Sequence, residues 1–183
     1  MTSPRPRSLS RLTFVLAAVA VTVLGLVVPA AAAGPYCGIT WGSTAEEAGG
    51  PQGPAAPEVT GVRAGRHACF DRVVVDLAGA GGAGYSVQYV PEVSRDGSGF
   101  PVPLRGGAFL QVVVLAHGEA LPDRAELVDT VGYPTLRQVA SAGAFEGQTT
   151  LGVGVRARLP FRVFTLGGPG TGGRLVLDIA HHW

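Results

Sequence analysis

The chain has 183 residues, enough for one domain of ordinary size. Fourteen basic residues, all of them Arg, stand against 13 Asp and Glu, for a formal net charge of +1. Setting aside Arg5, Arg7 and Arg11 of the N-terminal segment takes that +1 to −2, and a near-neutral chain argues against a nucleic-acid binder, whose affinity comes mostly from neutralised phosphates.

The N-terminus reads as a secretory signal peptide. A basic start, "MTSPRPRSLSR", is followed by an apolar run from Leu12 to Val28, then Pro29 and the small-residue run "AAAAG", so cleavage is expected near Ala33. The apolar run is slightly long for a signal core and slightly short for a spanning helix, which leaves an uncleaved anchor as the alternative and the only expected membrane contact. The residues before Cys37 do not form a lipoprotein cleavage box.

Residues 34–56 form an entrance and linker. "GPYCGITWGS" opens it, and the Gly/Pro/Ala-rich "TAEEAGGPQGPAAPE" from Thr44 to Glu58 shows no periodicity. Cys37 and Cys69 are the two cysteines. An even count in an exported chain predicts a disulfide. Closing a loop of this size contributes about 3–4 kcal/mol in the chain-entropy model. Trp41 is expected to be a docked aromatic rather than a ligand platform.

From residue 57 to 183 the pattern becomes short alternating segments. "EVTGVRA", "CFDRVVVDL", "GYSVQYV", "AFLQVVVLA", a weaker "LRQVASAG", "TTLGVGVRARL", "FRVFTL" and "RLVLDIA" alternate apolar and polar residues or are apolar throughout. Gly- and Pro-rich turns separate them: "AGAGGAG", "RDGSG" with an Asp96–Gly97 hairpin signal, and "GGPGTGG". Period-2 alternation without a long helical period predicts an all-β fold, a β-sandwich or open barrel of seven to eight short strands. Helix is expected to be minor, with one turn of it placed in "ELVDTVG".

"RVVVDLA" (Arg72–Ala78) is echoed by "RLVLDIA" (Arg174–Ala180). Residues four apart in a strand share a face but lie roughly 13 Å apart, so neither Arg pairs with the Asp of its own strand. The alternate positions, Val73, Val75 and Leu77 and then Leu175, Leu177 and Ile179, take the opposite face as core. Were the two strands antiparallel neighbours, Arg72 would meet Asp178 and Asp76 would meet Arg174. The spacing supplies no second acid, metal or His for catalysis, so Arg72, Asp76, Arg174 and Asp178 are read as structural.

Among the histidines, His181 and His182 point to opposite strand faces and do not suit one metal. His67 and Asp71 share a face if "HACFD" is straight. No zinc, nucleophile-elbow, phosphate-loop or dinucleotide motif is present, and no cofactor or metal is expected. Arg156, Arg158 and Arg162 form the densest basic cluster, with Arg156 and Arg158 on one face about 7 Å apart. Gly152 and Gly154, two residues apart in the same strand pattern, either flatten a face for a ligand or mark a bend. Together these five residues are the candidate binding face, gripping carboxylates or phosphates of a cell-wall polymer.

"TGVRAGRHACFDRVVVDL", "GYSVQYV" and "FEGQTTLGVGVRARLPFRVFTLGGPGTGGRLVLDIAHHW" together resemble the AMIN-like domain of exported actinobacterial proteins, over roughly residues 57–183. The resemblance implies a β-sandwich of two small sheets and makes the echoed strands, one early and one late, its structural signatures. It also implies localisation to the cell envelope by binding peptidoglycan or another envelope component, and it brings no catalytic residues. The expected function is thus an exported, non-catalytic module whose partner is a cell-wall polymer or envelope protein. Two alternatives stand beside it: a small secreted hydrolase using a His67/Asp71 pair, and a protein-interaction module working through an exposed sheet edge.

Overall fold

The computed structural model describes residues 36–79, 82–168 and 170–183, and the expected signal segment lies outside them. Among the described residues the regular structure is nine strands and two single 3-10 turns, Tyr36–Gly38 and Gly53–Ala55. The strands are β1 (Glu46–Ala48), β2 (Glu58–Arg66), β3 (Phe70–Ala78), β4 (Gly84–Val90), β5 (Ala108–Leu115), β6 (Leu136–Phe145), β7 (Gln148–Val155), β8 (Phe161–Gly167) and β9 (Gly173–Ala180). They form a five-stranded sheet, β1-β4-β5-β7-β6, and a four-stranded sheet, β2-β3-β9-β8, in which all neighbours are antiparallel. The segment "ELVDTVG" holds no helix: residues 126–132 are bends and a turn. Asp129 explains this locally, because its carboxylate accepts the Val131 N–H at 2.9 Å and so favours a turn over helical pairing.

The alternation seen in the sequence places the core between the sheets. Val73, Val75 and Leu77 of β3 and Leu175, Leu177 and Ile179 of β9 are buried, in one cluster with Val87, Leu110, Val112, Val114, Leu151, Val153 and Val155 from the other sheet. Each such aliphatic side chain contributes roughly 1.5–3 kcal/mol by leaving water. The hairpin from β6 to β7 turns on Glu146 and Gly147, with φ of 50° and 77°. Two successive positive values match the right-handed strand twist, and Gly adopts its value without steric cost.

The aperiodic entrance also carries structure. β1 adds itself to the edge of β4, pairing Glu46, Glu47 and Ala48 with Val87, Ser86 and Tyr85. Gly42 exchanges two backbone hydrogen bonds with Phe161 at the start of β8, at 2.9 and 2.8 Å, and the Glu46 carboxylate accepts the Val163 N–H at 3.0 Å. Residues 42–48 therefore bond to both sheets along one side of the sandwich. Three paired residues are too few for a periodic signal, and their partners lie far along the chain. The Cys37–Cys69 disulfide fastens this segment to the β2–β3 turn, with Cα atoms 6.4 Å apart.

The two outer faces are finished differently. Over β5, β6 and β7 the segment 91–107 forms a roof. Val93, Val102, Ala140 and Ala142 make a second small core there, with Val90, Leu104 and Phe109 against it. Backbone hydrogen bonds from Asp96 to Ala142 and from Gly107 to Val155, each 2.8 Å, fix the roof in place. On the outer face of β2-β3-β9-β8 the described residues lay only Trp41 of the entrance, against Phe70 and Arg162 at one end, and the rest carries a lattice of charged side chains.

Candidate functional site

Register builds the lattice. Asp71, Val73, Val75 and Leu77 face inward, so Phe70, Arg72, Val74 and Asp76 face outward on β3. Across the sheet Asp76 stands opposite Arg174, Val74 opposite Val176, and Arg72 opposite Asp178. On β8, Arg162 lies opposite Asp178 and Phe164 opposite Val176. On β2 a bulge between Val59 and Gly61 resets the alternation, so that Gly61, Arg63 and Gly65 face outward beside Asp76, Val74 and Arg72.

Asp178 is the centre of the lattice, with its side chain fully buried. Arg72 donates to it through Nε and Nη2 at 2.6 and 2.9 Å, and Arg162 does so through Nε and Nη2 at 2.9 and 2.8 Å. The carboxylate leaves water only because these charge-assisted bonds replace hydration. The guanidinium groups lie against aromatic rings. That of Arg72 is 5.2 Å from Phe70 and 5.6 Å from Phe164, and that of Arg162 is 5.1 Å from Phe164 and 5.5 Å from Trp41. Hydrogen bonding to Asp178 holds the Arg72 pKa above its ordinary value, with the opposite charge adding and burial opposing. Arg72 is thus a permanent cation.

The second half of the echo resolves differently. The register sets Arg174 directly opposite Asp76, yet Asp76 accepts from Arg63 instead, at 2.8 Å from Nε and 3.0 Å from Nη2. Arg63 reaches Asp76 diagonally with its planar fork and occupies both carboxylate oxygens. Arg174 is left with one long bond, Nη2 to the Gly167 carbonyl at 3.3 Å, and its buried Nε has no partner. Among the described residues no carboxylate lies within 4.0 Å of Arg174. The face as a whole holds Arg63, Arg72, Arg162 and Arg174 against Glu58, Asp76 and Asp178, an excess of one positive charge in a chain whose sum is close to zero.

Between these arginines is a pocket of about 240 Å³, lined by Arg63, His67, Arg72, Val74, Arg174 and Val176 among others. Val74 and Val176, 6% and 1% exposed, form an apolar floor beneath the arginine stems.

The other residues singled out in the sequence lie elsewhere. Gly152 and Gly154 do not present a flat surface to solvent, because the roof covers them. A Cβ on Gly152 would sit 2.8 Å from Leu104 Cδ1, and one on Gly154 would sit 1.9 Å from the Arg105 carbonyl oxygen. They are close-approach glycines rather than an open ligand face. Arg156 and Arg158 follow β7 and are exposed. Arg156 donates to the His181 carbonyl, while Arg158 lies 4.8 Å from the Tyr89 ring and bonds weakly to the Ser43 carbonyl at 3.4 Å. Arg162 belongs to the Asp178 cluster and not with them.

His67 and Asp71 do not come together. His67 sits in the β2–β3 turn, exposed and stacked on Phe70 with centroids 4.5 Å apart. The turn breaks the straight strand that a shared face required. Asp71 is buried, accepts the Thr135 and Leu136 N–H groups at 2.6 and 2.9 Å, and pairs with His181 Nε2 at 3.0 Å. It fastens the start of β6 and the end of β9 to β3. Among the described residues no group of three His, Cys, Asp or Glu side chains is arranged for a metal.

Sequence reasoning missed Arg63, Val74 and Val176 as members of the site. The signal for Arg63 was weak, because the bulge one turn of alternation earlier decides which face it takes. Val74 and Val176 read as a continuous apolar run, which does not separate a pocket floor from core.

The family model of the AMIN-like domain matches residues 57–181, and the chain belongs to that family. A comparison with curated proteins gives no match. The family points to a cell-envelope-targeting module, of a kind generally non-catalytic and concerned with binding envelope components. No helix among the described residues is long and apolar enough to cross a membrane.

Proposed function

We propose that the protein is an exported, non-catalytic module that holds to an anionic envelope polymer, with peptidoglycan as the leading ligand, through the open face of β2-β3-β9-β8. Residues 1–33 act as the leader, 34–56 as an entrance and 57–183 as the binding domain. The observation that carries this reading is the excess of one positive charge on that face, where Arg174 has no carboxylate within 4.0 Å among the described residues. Four arginines share that face, and planar guanidinium forks suit carboxylates and phosphates. Arg156 and Arg158, which have no carboxylate partner among the described residues, extend the contact along the neighbouring edge. The Cys37–Cys69 disulfide supports an oxidising, extracytoplasmic setting.

The test is co-sedimentation. Protein purified after expression of the full chain is mixed with insoluble cell-wall sacculi and spun at low and at high salt. The expected result is protein in the pellet at low salt, with release as salt screens the arginines. Protein wholly in the supernatant under both conditions would contradict the reading.

A further inference from the structure

The arginine face is not electrically uniform, and its asymmetry says what the pocket accepts. Arg63 is neutralised by Asp76 and Arg72 by Asp178, whereas Arg162 lies on the far side of Asp178, against Trp41. Inside the pocket this leaves one uncompensated guanidinium, that of Arg174, whose buried Nε donates to nothing. The buried Nε is closed to solvent; what favours an incoming anion is a guanidinium on the pocket wall with no carboxylate within 4.0 Å among the described residues.

We propose that this pocket is a subsite for a single carboxylate carried on a short aliphatic body, with Arg174 as its principal contact and Ala64, Val74 and Leu166 lining the space for the ligand's apolar part. The inference rests on the envelope-binding reading above and narrows it to one chemical group of the ligand. Charge selects a monoanion, because the pocket's excess is one positive charge and a phosphate dianion would bring a second, unmatched negative charge. Donor chemistry disfavours a bare sugar ring. The arginine side chains of the pocket only donate, and no carboxylate lines it to receive hydroxyl protons. That apolar lining then asks for a methyl or methylene next to the anion, since it offers no polar group to a hydroxyl. A pocket of about 240 Å³ accommodates the last residue or two of a peptide and not a folded partner.

Side-chain ¹⁵N spectra of the arginine Nε groups, recorded on the purified protein, test this. The probes are N-acetyl-alanyl-alanine in both enantiomeric forms, its C-terminal amide, and inorganic phosphate. The free carboxylate is expected to shift the Arg174 Nε resonance saturably, the amide to leave it unmoved, and Arg174→Lys to weaken the response at least tenfold by losing the planar fork. An equal response to the amide, a stronger one to phosphate, or none to the carboxylate would overturn the subsite. The wild-type titration decides this without the variant. Sacculus sedimentation run in parallel separates the two levels. Binding to sacculi without a peptide response removes the subsite and leaves the envelope reading, and a peptide response without sedimentation does the reverse.

Discussion

The two outer faces of the sandwich solve the same problem in opposite ways. Each is the back of a sheet whose front is core, and each would leave apolar surface in water if left bare. Over β6 and β7 several outward residues are small, among them Ala140, Gly152 and Gly154. They leave space that the chain itself fills, and segment 91–107 lays Val93, Val102 and Leu104 on them. Over β2-β3-β9-β8 the outward residues are long and charged. Their own stems shield Val74 and Val176, and Asp178 and Asp76 offset part of their charge while Arg174 stays without a carboxylate among the described residues. A face finished by its own side chains stays accessible, and a face finished by a loop does not.

The largest expected effect breaks the self-finished face at its centre. Asp178→Ala would leave Arg72 and Arg162 facing each other without their shared counter-charge. Removing one member of a buried ion cluster costs about 3–5 kcal/mol, read as a drop in the urea unfolding free energy. A loss below about 1 kcal/mol would mean that water already stabilises these arginines and that the face is wetter than its burial indicates.

Gly154→Ala breaks the roofed face. Its methyl would meet the Arg105 carbonyl, which is backbone and cannot swing aside, so the loop must lift. The expected cost is about 2–3 kcal/mol, at the upper end of overpacking. Faster hydrogen exchange should be confined to the roof, at Gly107 and Asp96, whose N–H groups bond to Val155 and Ala142. Uniform acceleration across both sheets would show instead that the roof and the core unfold as one.

Asp76→Asn sharpens the comparison with little loss of stability. Arg63 and Asp76 are 56% and 34% exposed, and pairs of this kind contribute roughly 0.2–1 kcal/mol. The variant adds one net positive charge to the open face, so sacculus retention at low salt should increase. Unchanged retention would place the contact elsewhere, with Arg156 and Arg158 as the next candidates.

The smallest effect is a pH dependence belonging to the roof. Burial raises the Asp96 pKa, opposed by hydrogen bonds from Thr150, and its Oδ2 is buried without a partner. The folded state then holds that proton more tightly than the unfolded chain does. Its contribution is greatest when Asp96 is protonated and is lost as pH rises through the raised folded value. Thermal melts across that window should show the decline, and Asp96→Asn should flatten it. Identical slopes in the two proteins would remove Asp96 as the cause.

Several of these features were readable before any fold was known, and the boundary between them and the rest is physical. Period-2 alternation placed Val73, Val75 and Leu77 in the core and Arg72 and Asp76 on the other face, because strand geometry depends only on neighbours along the chain. The echo anticipated that Arg72 meets Asp178, given antiparallel neighbours, and β3 and β9 are such neighbours in that register. It anticipated equally that Asp76 meets Arg174, and there Arg63 intervened from β2. Competition among three strands is not encoded in any one of them.

The sequence by itself determined an all-β chain, the inward and outward residues of its strong strands, and the family to which its paired signatures point. The tertiary structure alone decided which of two arginines Asp76 accepts, that the glycines of β7 lie beneath a loop, and that the entrance residues bond to both sheets. The first group follows from local backbone geometry and from burial of alternating side chains. The second depends on how distant segments dock, where a single bulge in β2 or the approach of Arg105 to Gly154 changes which groups meet.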